Sequence, residues 1–256
     1  MASPQMTNPQ RQQLAPSPPS HRPSLRPRTE RGLFQHQRLQ YGQSVLGAPL
    51  LYFPAEVQDE HTGMVLAGTH GDEVAAVVTL SCALRSLGPG QLRHHVILAA
   101  NPDGCQLGTR ANANGVDLNR NFATVNWKAD GTVYRWNSAA DERDVSLFTG
   151  DEPSSEPETR ALCRLIKTLK PAWLVSIHDP LACVDDPLQS PLGHWLAERM
   201  ELPLVTDLGY KTPGSFGTWC EEQKYACITL EYPPISADAA SERYLTAMIE
   251  LLCYTP

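Results

Sequence analysis

Eight residues in this chain have the types and spacings that hydrolytic chemistry needs. His70 and Glu73 stand three apart in His70-Gly71-Asp72-Glu73. They lie where an apolar run ends and an amphipathic one begins, so both can face one point. An imidazole nitrogen and a carboxylate oxygen suit Zn²⁺, whose catalytic sites take about three protein ligands and leave one position open. Alone the spacing is unspecific, because a helix-start acid beside a partly exposed His gives the same pattern. His178 closes a second apolar run just before Asp179-Pro180 and offers a third donor; by itself it reads equally as a satisfied rim residue. Glu231 directly follows Ile228-Thr229-Leu230. A carboxylate there, near a water on the metal, can act as general base and then as proton donor to a leaving amine. Taken singly, an acid at a strand end is more often just solvated. Finally, Arg110 and the segment Gly115-Val116-Asp117-Leu118-Asn119-Arg120-Asn121-Phe122 lie in a polar stretch. One guanidinium can grip a carboxylate with two hydrogen bonds, and another can stabilise an oxyanion. Asn and Asp turn bonds account for part of this loop.

Positioning these groups falls to an alternation of short apolar runs and longer amphipathic ones. Residues 64–68 read as a buried strand entering His70, 72–87 as a helix with Val74, Val77, Val78, Cys82 and Leu84 on its apolar side, and 95–100 as a second strand. Asn101-Pro102-Asp103-Gly104 reads as a turn. From there to about Gly150 the chain is irregular, and so long a loop in a compact domain is usually functional. A helix over 155–169, a strand over 173–177, a helix over 192–200, strands near 204–206 and 227–230, and a helix capped by Ser236 complete the series. The alternation predicts an α/β layered fold with helices on both faces of a largely parallel sheet. Ligand sites in such sheets gather at the carboxyl ends of strands, which places His70, His178 and Glu231 at one rim.

Composition narrows the function classes. The 256 residues, 41% hydrophobic, suffice for one domain with a substantial core. Residues 1–32 hold five Arg against Glu30 and are rich in Pro, Ser and Gln; they are expected to stay disordered for lack of apolar residues. Removing them from the totals of 21 basic and 28 acidic residues leaves 16 and 27, a net charge of −11 for residues 33–256. So acidic a body argues against nucleic-acid binding. No apolar run is long enough for a membrane span, and no signal-peptide core precedes the domain. The seven cysteines are odd in number and form no CxxC pair, which favours buried free thiols in a reducing compartment, with cytoplasm the default.

The motifs HGDE, NPDG followed by GVDLNRNF, the strand-borne His178, and TLEYP occur in the order found in zinc carboxypeptidases of the carboxypeptidase A family. The chain resembles that family from about residue 64 to the C-terminus. Stretches 94–122, 133–140 and 176–183 further resemble its bacterial members that trim murein peptides. The resemblance implies a three-layer α/β/α fold with a mixed, largely parallel central sheet over residues 33–256, and one Zn²⁺ on His70, Glu73 and His178. It implies Glu231 as the catalytic glutamate, Asn119 and Arg120 as the pair that binds a terminal carboxylate, and Arg110 as the oxyanion-stabilising arginine. Asp117 becomes the acid that orients a zinc-bound imidazole. The implied substrate is murein tripeptide, cut at its γ-D-glutamyl-diaminopimelate bond during peptidoglycan recycling. A homodimer is compatible with the sequence. The family's mobile substrate-contacting Tyr has no assigned equivalent, though Tyr210 lies in the corresponding stretch. Asp185 and Asp186 read as solvated loop acids or as partners for the second amine of diaminopimelate. Three rivals remain: a zinc deacylase of N-acyl amino acids, of the succinylglutamate desuccinylase or aspartoacylase kind; a non-catalytic peptide-binding module; and a tail-driven adaptor.

Overall fold

The computed structural model describes residues 23–134 and 145–255. In chain order the elements are β1 (Leu39–Gln43), β2 (Pro49–Tyr52), β3 (Met64–Leu66), α1 (Val74–Ser86), β4 (His95–Ile97), α2 (Pro102–Leu107), β5 (Thr132–Tyr134), β6 (Val145–Leu147), α3 (Pro157–Leu169), β7 (Leu174–His178), β8 (Cys183–Asp185), α4 (Pro191–Met200), β9 (Leu204–Val205), α5 (Phe216–Glu222), β10 (Cys227–Glu231) and α6 (Ala237–Leu252). Six strands form one sheet in the order β4-β3-β7-β10-β8-β9. Every neighbouring pair is parallel except β10 with β8.

Strand alternation assigns the two faces of this sheet to two cores. Val65, Val96, Val175, Ile177, Ile228 and Leu230 pack on one side with residues of α1, α4 and α6. Met64, Leu66, Ile97 and Leu174 pack on the other with α3, α5 and Phe122. The result is the expected three-layer α/β/α arrangement with a mixed, largely parallel sheet. On β7, Ser176 and His178 share the face of Leu174, so the second core's surface leads directly into the polar rim. No helix among the described residues is long and apolar enough to cross a membrane.

Several local expectations shift. The apolar side of α1 is turned from the expected one: Leu84 is buried and Val77 packs half-buried on the core as expected, but Val74 and Val78 are exposed, and Ala75, Ala76, Leu80 and Ala83 are buried. The alanines let the helix approach α6 closely, and that proximity outweighs side-chain hydrophobicity in choosing the buried face. Asn101-Pro102-Asp103-Gly104 is a helix start: Asn101 accepts from Gly104 N and Pro102 occupies the first turn of α2. The hairpin of β1 and β2, strand β8 and helix α5 arise where no element was expected. Residues 23–32, assigned by composition to the tail, are packed against the body. Arg26 is 8% exposed, and its Nη1 donates to Leu33 O at 2.8 Å and Arg85 O at 3.0 Å. A single guanidinium that satisfies carbonyls from two segments anchors this stretch without an apolar cluster. Residues 1–22 and 135–144, including most of the 133–140 motif, lie outside the described residues.

Gly71 controls how β3 hands over to α1. A Cβ placed there would lie 1.9 Å from the carbonyl carbon of Gly104, so only glycine lets the His70–Glu73 turn press on α2. Gly71→Ala is expected to cost at least about 2 kcal/mol, because the obstacle is backbone rather than a flexible side chain. Urea denaturation of the two proteins measures it.

Candidate active site

The rim is built by register. β7 and β10 run parallel with Glu231 opposite His178, so both side chains rise from the same face at the carboxyl ends of their strands. Next to them, the chain leaves β3 through Thr69 to His70 and turns tightly into α1. Glu73 occupies the N-cap position of that helix yet makes no side-chain cap bond. An acid at this position normally accepts from the first-turn amides; here its oxygens are committed elsewhere. Oε1 lies 2.6 Å from His70 Nδ1 and Oε2 lies 2.9 Å from His178 Nδ1. The two Nδ1 atoms are 3.2 Å apart. Three buried side chains thus converge on one point, their donor atoms all within 4.8 Å of one another.

The remote nitrogen of each imidazole is also held. His70 Nε2 is 3.2 Å from Asp117 Oδ1, and His178 Nε2 is 3.0 Å from Ser176 Oγ. Asp117 itself is anchored by accepting from Asn119 N at 2.9 Å, and it caps the short 3₁₀ turn Leu118–Arg120. Ser176 was not among the residues singled out from the sequence. The period-2 rule carries the signal, since the residue two before a strand-end His shares its face. Ser176→Ala is expected to weaken zinc binding by about tenfold, as loss of an imidazole's outer partner usually does. Competition with a chromogenic chelator reads the change.

Electrostatics at this point favour positive charge. Burial and the nearby Arg110 oppose protonation of His70, but the carboxylates of Glu73 and Asp117 prevail and raise it to about 9. Burial also works against the charged forms of both acids, yet Glu73 falls well below the usual range through His70 and His178, and Asp117 through Arg110 and His70. Two imidazoles with outer partners, one carboxylate and a field that draws a cation make a donor set that fits Zn²⁺.

Arg110 sits against this cluster: Nη1 is 3.0 Å from Glu73 Oε1 and Nε is 3.3 Å from Asp117 Oδ2. Asn119 accepts from Phe216 N through Oδ1 at 2.9 Å and lines the cavity. Arg120 donates from Nη1 to Asn119 O at 2.7 Å. The bland reading holds for neighbouring loop residues: Asn112 accepts from Asn114 N and Val116 N and donates to Glu156. Glu231 is 7% exposed and accepts from Leu181 N at 3.3 Å; burial raises its carboxyl above the ordinary range. His70, Glu73, His178, Glu231, Arg110, Asp117, Asn119, Arg120 and Tyr210 all line one cavity of about 1080 Å³. Its wall is completed by the segment before α5, where Gly214 (φ +71°) lies so close to Arg120 that a Cβ would meet Arg120 O at 2.4 Å.

The adjacent acids differ from the solvated reading. Asp186 is buried and accepts from Leu188 N, Ser190 N and Ser190 Oγ, so it serves its own turn. Asp185 belongs to β8 and lines the cavity.

A family model described as zinc carboxypeptidase matches residues 36–180. The chain is 64% identical over 231 residues to murein peptide amidase A of Escherichia coli, covering 90% of this chain and 96% of that protein. It also superposes on the crystal structure of a murein-tripeptide amidase from Escherichia coli O157 with a TM-score of 0.89 at 64% identity, covering 91% of this chain and 98% of that one. Carboxypeptidase A from Helicoverpa armigera shares the fold at a TM-score of 0.63 and 18% identity, over 85% of this chain and 67% of that one. With a family match over more than half its length and a buried His-Glu-His cluster suited to the metal, the chain belongs to the zinc carboxypeptidase family and is a zinc-dependent hydrolase.

Proposed function

We propose that this hydrolase cleaves the amide between γ-linked D-glutamate and the C-terminal diaminopimelate of murein tripeptide, L-Ala-γ-D-Glu-meso-diaminopimelate, in the recycling of wall peptides. The observation that carries the reading is the 64% identity to a murein peptide amidase, sustained over 96% of that relative's length. The seven free thiols suit a reducing compartment and support a cytoplasmic setting.

Each side chain has a role in this reading. His70, Glu73 and His178 hold zinc, which supplies Lewis acidity toward the scissile carbonyl and acidifies water. Asp117 and Ser176 fix the orientation of the two imidazoles. Glu231 takes a proton from the attacking water and delivers it to the departing amine nitrogen as the C–N bond breaks. The water oxygen ends on the glutamyl carboxylate. Arg110, held by Glu73 and Asp117, stabilises the negative oxygen that develops on the former carbonyl. Asn119 and Arg120 bind the carboxylate of the terminal residue and so set the amide over the reacting groups.

That clamp predicts that Arg120→Ala raises KM for the tripeptide about 10- to 100-fold, the usual worth of a charged hydrogen bond. Steady-state kinetics at saturating zinc checks it. The test of the reading as a whole is release of free diaminopimelate from the tripeptide by the zinc-loaded protein. Release that disappears on chelation and returns with zinc is the expected result. Cleavage of N-acyl amino acids with the tripeptide left intact would overturn the substrate and keep the metal site.

A further inference from the structure

Behind the catalytic rank of the sheet lies a second polar rank. One rank below His178 and Glu231, Ser176, Thr229 and Asp185 stand opposite one another: Thr229 pairs with Ser176 on the parallel β7 and with Asp185 at the end of the antiparallel β8. All three line the cavity. Ser176 is occupied by His178. Asp185 is not comparably occupied: its Oδ1 is buried and has no hydrogen-bond partner among the described residues. A carboxylate oxygen withdrawn from water without a donor is costly, and partial burial of the group, followed by Asp186 and Asp207, pushes its pKa up. Its neighbour Asp186 shows the contrast, with three donors from its own turn.

We infer that Asp185 is the specificity residue that receives an ammonium group at the far end of the released residue's side chain. The inference rests on the reading that the amine product leaves from this cavity. Asp185 is displaced by one strand and one rank from Glu231, a diagonal on the order of 8 Å in a pleated sheet. In diaminopimelate six bonds separate the scissile nitrogen from the second amine, an extended reach of about 7–8 Å at ordinary bond lengths. An ammonium carried that far from Glu231 supplies the missing donors to Asp185 and neutralises its charge, whereas a side chain lacking the amine leaves the carboxylate unpaired. A site built around such a bond rejects the analogue that lacks it.

The test pairs the natural tripeptide with the same peptide ending in 2-aminopimelate, which lacks only the second amine. The zinc-loaded wild type is expected to favour the diaminopimelate peptide in kcat/KM by about 10- to 100-fold, and Asp185→Asn to lose most of that preference, chiefly through KM. The substitution is isosteric and leaves Oδ1, which has no hydrogen-bond partner among the described residues, no worse placed, so an unchanged thermal midpoint controls for folding. Equal losses on both peptides would overturn the assignment. Calorimetric binding of free diaminopimelate against 2-aminopimelate provides a readout without hydrolysis, with the same preference expected in wild type and not in Asp185→Asn. Preference in binding with no cleavage of the tripeptide would defeat the murein reading and keep Asp185. Cleavage without any preference would do the reverse.

Discussion

Replacing Glu231 by Gln is expected to lower kcat by about 10⁴-fold, the upper end of what a positioned proton carrier contributes, while zinc stays at one per chain. Gln has nearly the same shape and keeps an oxygen to accept from Leu181 N. What it loses is the ability to accept a proton from water and return it to the leaving amine. The carboxyl is buried, which raises it above the usual range for Glu. Because the working form is the anion, activity should be present above that raised value and fall as pH drops through it. The acid limb of the kcat/KM profile belongs to this group in the wild type and should be missing from whatever activity the variant retains. Zinc analysis and a thermal melt on the same sample separate chemistry from folding. A variant that kept a tenth of the wild-type kcat would show that another group carries the proton.

His178→Ala tests the metal site from the other direction. With His70 and Glu73 alone, the donor set falls from three to two, and the buried oxygen of Glu73 that faces His178 at 2.9 Å loses its partner. Zinc bound by four ligands is worth about 10–16 kcal/mol, so one ligand is worth about 2.5–4, or roughly 60- to 800-fold in affinity. The purified variant should therefore carry little zinc and lack measurable hydrolysis. Added zinc should raise the melting temperature of the wild type by mass action and leave that of the variant unmoved. Tight stoichiometric zinc in the variant would show that the ion sits elsewhere. Ser176→Ala forms the graded counterpart: it removes only the outer partner of the same imidazole, so its effect should be a fraction of the ligand's.

Much of the site was legible because its chemistry is tied to strand ends. Apolar runs closing on His70, His178 and Glu231 sufficed to predict one rim of an α/β sheet, and the sheet places His178 and Glu231 opposite each other in register. The alternation of elements likewise carried the layered fold, since each strand is short, apolar and bounded. Less legible were features that depend on a neighbour distant in the chain. The buried face of α1 is chosen by the close approach of α6, so small alanines win over the more hydrophobic Val74 and Val78. The segment 23–32 carries too few apolar residues to signal order, yet Arg26 fastens it through carbonyls of Leu33 and Arg85.

Residue types and order along the chain, by themselves, pointed to His70, Glu73 and His178 as a candidate metal donor set, to the acid at the end of β10, to the guanidinium loop and to the α/β class. These depend on chemistry and on periodicities that a single strand or helix already expresses. Only the tertiary structure decided that Glu73 gives up capping α1, and that Asp185 and Asp186 divide into a cavity residue and a turn residue. Each of these is set by the register of β8 against β10 or by the meeting of a loop with a helix start. Pairings of that kind exist only once the chain has closed on itself.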